Sequence, residues 1–89
     1  MRDVVQTNAF LRDLKKAKKR NKPLHKLAVI VELLANGAPL AARHRPHPLK
    51  GIWVPNWECH IEPDWLLVYE VRADAVYLVR LGTHTDLFD

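Results

Sequence analysis

Apolar residues along the first third of the chain recur at helical spacing. Phe10, Leu11, Leu14 and Ala17 form one stripe while Lys15, Lys16, Lys18 and Lys19 lie largely outside it, the pattern of an amphipathic helix. Thr7 is suited to cap its start, the helix runs to about residue 20, and Asn21 and Lys22 break the chain. Pro23 fits the first turn of a second helix, where a missing N–H costs nothing. Leu24, Leu27, Ala28, Val31, Leu34 and Ala35 give that helix a wide apolar face, and Asn36 with Gly37 supplies its stop. Ahead of both helices, the short β-branched stretch "RDVVQT" predicts an initial strand.

Beyond Gly37 the period changes. The stretch "APLAARHRPHPLKG" holds three prolines and three Lys or Arg in fourteen positions, so it is expected to be a surface loop rich in basic groups. Strands are expected around residues 52–61, bent near Pro55 and Asn56, then over 65–71 and 75–81, with "RAD" at 72–74 as a hairpin turn and "GTHTDLFD" as a short tail. The order β, α, α, β, β, β predicts an α+β fold in which two helices cover one face of an antiparallel sheet and leave the other partly open. A chain of 89 residues suffices for one small domain over 1–89 and no second core.

Charge sharpens this picture. The net charge of +4 conceals a basic half, +9 over residues 1–50, and an acidic half, −5 over residues 51–89. A basic half suits a polyanion such as RNA, and the lysines of "KKAKKRNK" serve equally well as a solvated helix face. No apolar run approaches the roughly twenty residues of a membrane helix, and "MRDVVQTNAF" lacks the apolar centre of a signal peptide. A cytoplasmic protein is expected, consistent with a single cysteine, Cys59, that cannot form an internal disulfide.

The chemistry concentrates in "ECHIEPDWLLVY". Strand alternation puts Cys59 and Ile61 on one face and Glu58, His60 and Glu62 on the other. With the first pair turned to the helices, His60 faces out of the core; Asp64 follows at the turn, and His47 and His84 lie in polar loops beside strands. A zinc site is not expected, because the close pair His44 and His47 sits in a proline-broken loop and the only cysteine points to the core. The chain has no serine, which excludes a Ser-His-Asp triad, and a Cys59 nucleophile would need an exposed thiolate. Histidines without a metal suit proton transfer near neutral pH. Cleavage of RNA by its own 2′-hydroxyl needs a base, an acid for the leaving 5′-oxygen and a positive group for the phosphate, and no cofactor. Trp65 and Phe88 either stack on unpaired bases or pack in the core.

The blocks "HPLKG" (47–51), "CHIEPDWLLVY" (59–69) and "GTHTDLF" (82–88) resemble the successive signatures of the YafQ branch of the RelE/ParE toxin superfamily, and "FLRDLKKAKKRNK" and "LLANGAPL" extend the likeness over nearly the whole chain. The resemblance implies a toxin of a type II toxin–antitoxin pair: a metal-independent, RelE-like endoribonuclease that cuts messenger RNA on the ribosome and is restrained by a cognate antitoxin protein. By position it implies a functional set of His47, His60, Asp64, Trp65, His84 and Phe88. His84 is the favoured general acid, and His47, His60 and Asp64 activate the hydroxyl and orient or charge-balance the phosphate. In one place the sequence departs. Trp57 stands where the family commonly has an arginine, so Arg80, Lys50 or the loop residues Arg43 and Arg45 would have to supply positive charge to the scissile phosphate. A gyrase-binding toxin of the ParE type, or a non-catalytic RNA- or ribosome-binding module, are the alternatives on the same fold.

Overall fold

Thr7 ends the first strand and begins the first helix. Its hydroxyl accepts from the Phe10 N–H at 3.0 Å and donates to the Val79 carbonyl at 2.9 Å, capping the helix and tying it to the last strand. In the computed structural model, which describes residues 1–89, that first strand is β1 (Asp3–Gln6) and the helix is α1 (Asn8–Lys19). Asn21 takes the left-handed conformation at the break, α2 spans Leu24–Ala35, and Gly37, with φ of 70°, ends it. Then come β2 (His47–Pro48), β3 (Trp57–Glu62), β4 (Trp65–Val71), β5 (Ala75–Gly82) and α3 (His84–Phe88).

The five strands form one sheet in the order β1-β5-β4-β3-β2. Strands β2 to β5 pair antiparallel, while β1 joins the edge of β5 in parallel, Asp3 opposite Ala75. The parallel edge, which local pattern does not predict, follows from connectivity: two antiparallel reversals return β5 to the direction of β3, alongside a β1 that the two helices have separated from the rest. Helices α1 and α2 cover one sheet face, burying Phe10, Ile30 and Leu34 against Cys59, Leu67 and Val76.

The opposite face is covered only in part. There Leu66, Val68 and Leu87 form a second cluster, with Leu49, Trp53, Val79 and Phe88 packed on it. Two expectations need correction here. Residues 52–56 are not strand: Gly51–Trp53 forms a 3₁₀ turn whose Trp53 lids the second cluster, and β3 begins only at Trp57. The segment expected only as a short tail holds a helix. Thr83 and Asp86 cap each other's backbone N–H groups at 3.1 and 3.0 Å, which nucleates α3 and sends Leu87 into the cluster. No helix is long and apolar enough to cross a membrane.

Candidate active site

Pairing of β2 with β3 sets His47 directly opposite Glu58, and His60 follows two residues later on the same face. Both imidazoles converge on one carboxylate oxygen: the Nε2 atoms of His47 and His60 each lie 3.5 Å from Glu58 Oε1, and the ring centroids are 6.3 Å apart. Their other nitrogens face carbonyls, His47 Nδ1 at 2.7 Å from Arg45 O and His60 Nδ1 at 3.1 Å from Pro63 O. A carbonyl oxygen only accepts, so each Nδ1 carries a hydrogen and each Nε2 is the nitrogen left to exchange a proton. Glu58 is only 6% exposed, a nearly buried carboxylate. Strand alternation puts it on the correct face without assigning it a role, and Glu62, equally two positions from His60, gives the same sequence signal; only the burial of Glu58 between two imidazoles tells them apart.

The third histidine is positioned from the other direction. Asp64, in the turn between β3 and β4, accepts the backbone N–H of His84 at 2.9 Å and so fixes the first residue of α3. Asp86 locks the far side of the same turn. Its carboxylate accepts from the Thr83 N–H and from Arg20 Nη1 at 2.8 Å, and these bonds lower its pKa to about 2. A Cβ on Gly82 would stand 2.9 Å from Asp86 Cβ, so only glycine permits this close approach. His84 stays exposed, its ring 5.3 Å from Phe88, whose other neighbour is Trp53 at 5.2 Å. His47, Glu58 and His60 thus stand on β2 and β3 and His84 follows β5, with β4 between them and the Pro63–Asp64 turn touching both His60 and His84.

Other expected site residues fall differently. Trp65 is 1% exposed in the main core, with Lys22 Nζ 5.8 Å from its ring, so of its two sequence readings the structure adopts packing and offers no face for a base. Arg80 is held by Asp13 through two bonds of 2.7 and 3.2 Å, which raise its pKa and neutralise it as a free phosphate ligand. Lys50 is exposed between β2 and the 3₁₀ turn, and Phe88 is half-buried. Trp57 requires a correction: it pairs with Tyr69 and shares the helix-side face with Cys59, pointing away from Glu58 and His60. Position 57 therefore lies on the sheet face opposite Glu58 and His60. Burial pushes the Cys59 thiol up to about 12, with the Glu58 charge adding to the effect, so it supplies no thiolate. No three His, Cys, Asp or Glu side chains are grouped to hold a metal ion.

Comparison with known proteins sets this geometry in a family. Residues 2–89 match the family described as the bacterial toxin of type II toxin–antitoxin system, YafQ. The chain belongs to the YafQ toxin family. It is 39% identical to the mRNA interferase toxin YafQ of Escherichia coli over 88 residues, 98% of this chain and 96% of that one. Its fold superimposes on YafQ in the Escherichia coli DinJ-YafQ toxin–antitoxin complex with a TM-score of 0.91 at 38% identity, covering 99% of this chain and 98% of the other. A metal-bound toxin from Helicobacter pylori superimposes with a TM-score of 0.93 at 40% identity, covering 99% and 100%. The span matched to YafQ includes every position of the site, from His47 to Phe88.

Proposed function

We propose that this YafQ-family toxin is an endoribonuclease that cleaves messenger RNA on the ribosome by acid–base chemistry, with the RNA's own 2′-hydroxyl as nucleophile and no metal ion. One observation carries the reading: two imidazoles share a buried carboxylate on β3, while a third, exposed imidazole belongs to His84, whose backbone N–H is held by Asp64 at the start of α3. His47 and His60 offer a base and His84 an acid, the two groups that displacement at phosphorus by the 2′-hydroxyl requires. On the base side, Nε2 of His60 or His47 takes the 2′-hydroxyl proton, and Glu58 stabilises the resulting imidazolium. On the acid side, His84 protonates the leaving 5′-oxygen, with Asp64 fixing its position through the backbone and Phe88 offering an edge to a neighbouring base. The Escherichia coli relative, an mRNA interferase by name, supports this reading.

The test is primer extension on translating ribosomes with purified toxin. Cleavage that stops when the cut-site nucleotide is 2′-deoxy and leaves a 2′,3′-cyclic phosphate or its 3′-phosphate product is expected. Cutting of the 2′-deoxy message overturns the mechanism. The proposal includes restraint in the cytoplasm by a small antitoxin with an acidic toxin-binding segment, as the DinJ-YafQ complex suggests by analogy. Co-expression with the neighbouring gene product, followed by co-purification and relief of toxicity, tests that partner.

A further inference from the structure

A cleft of about 270 Å³ opens beside His60, lined by Arg43, His44, Arg45, Glu62 and Pro63. His60 lines it as well, so the cleft borders the face that carries Glu58 and His60. We infer that this cleft binds a backbone phosphate of the RNA strand next to the scissile one, with Arg43 and Arg45 as its ligands. The inference rests on the ribonuclease reading and adds a binding subsite to it.

Three observations point to an anionic ligand. First, Arg43 and Arg45 are exposed and neither pairs with a carboxylate, unlike Arg20, Arg72 and Arg80. Second, the one acid lining the cleft is already engaged: Glu62 lies 3.2 Å from Lys26 Nζ and 4.0 Å from Lys22 Nζ. The cleft therefore presents net positive charge with nothing in the protein to balance it. Third, the turn carrying the arginines is fastened to the catalytic strand. His44 Nδ1 donates to the backbone carbonyl of His60 at 2.6 Å, and the carbonyl of Arg45, a residue in the left-handed region with φ of 46°, accepts from His47 Nδ1 at 2.7 Å. Both arginines thus ride on a segment pinned between the two histidines that share Glu58, and a strand seated over His60 must pass them. Phosphate contacts of this kind position a strand and carry no sequence information. Removing them therefore weakens binding more than it slows the chemical step.

The experiment uses ribosomes programmed with a synthetic message whose cut position has been mapped. Single methylphosphonate linkages, each on a 2′-deoxy sugar, are placed one at a time on either side of the cut, with 2′-deoxy phosphodiester controls. Wild-type toxin is expected to show a KM about tenfold higher for one of these neutral linkages and little change in kcat. The Arg43→Ala, Arg45→Ala double variant is expected to show the same rise on the control message and no further rise at that linkage, while Arg43→Lys, Arg45→Lys recovers most of the affinity. The slope of log affinity against log salt should also fall by about 0.7 for every phosphate the variant no longer binds. A double variant that loses kcat at unchanged KM would overturn the inference by placing the arginines at the scissile phosphate. Equal sensitivity of wild type and variant to every linkage would overturn it as well. Failure of wild type to cut the unmodified message is a different result, and it rejects the ribonuclease reading itself.

Discussion

His84 is exposed, anchored through its backbone N–H to Asp64, with its ring beside Phe88. Replacing it by alanine should therefore lower the cleavage rate by roughly 10² to 10⁴, the usual worth of a positioned acid or base, with little change in melting temperature. A large fall in stability with the rate intact would return His84 to a structural role. Glu58 makes a contrasting case, because it is buried and acts through two partners. Glu58→Gln keeps the volume but removes the charge between His47 and His60, and the rate should fall at least about tenfold, or 1.4 kcal/mol of barrier, measured with circular dichroism confirming the fold. Trp57→Arg should leave the rate where it is in wild type, since position 57 lies on the helix side of the sheet; a rate gain would mean that the side chain crosses the sheet edge to reach the phosphate.

At the scale of elements, α3 is a five-residue helix whose existence depends on its cap. Asp86 takes part in the capping box and in the ion pair to Arg20, and these bonds hold its folded-state pKa near 2, below the ordinary carboxylate range. The sign follows directly: a carboxylate bound in its ionised form contributes stability that is complete above its unfolded pKa and is lost as pH falls through the folded value. Between about pH 4 and pH 2, wild type should lose stability more steeply than Asp86→Asn, which has no charge to titrate. Urea midpoints across that range provide the measurement, and parallel curves would show that the cap contributes nothing. Because His84 begins α3, the same substitution should reduce cleavage at neutral pH without touching any group that transfers a proton.

At the scale of the molecule, charge is divided between two halves that the fold brings together. The N-terminal half supplies α1, with Lys15, Lys16, Lys18 and Lys19 exposed on it, while the acidic half supplies most of the sheet. Those lysines form no ion pair with any carboxylate of the chain, so under the proposed function they are the groups expected to meet ribosomal RNA phosphates. Neutralising them should weaken ribosome association and flatten its salt dependence by roughly 0.7 to 0.9 per phosphate released, as read from co-sedimentation at graded salt. An unchanged slope would assign the lysines to solvation alone.

Local pattern is enough for both helices, their Thr7 cap and Gly37 stop, the "RAD" hairpin and the two faces of the strand around His60, because each depends on periodicity or on backbone preferences of neighbouring residues. The sequence also supplies the histidines and Asp64, since their residue types limit the chemistry they can do. Tertiary structure decides what depends on residues far apart in the chain. Glu58 becomes a shared partner of two imidazoles only when β2 pairs with β3, and Arg80 loses its freedom to Asp13, 67 positions away. Trp65 is legible as aromatic but ambiguous in role until the core closes over it, and the tie between position 57 and the phosphate fails because the strand turns that side chain to the helices. The parallel seating of β1 lies beyond local reading for the same reason, since the free energy that fixes it comes from strand pairing across the chain, whereas the Thr83–Asp86 capping box that starts α3 is a local signal, reinforced when Arg20 meets Asp86.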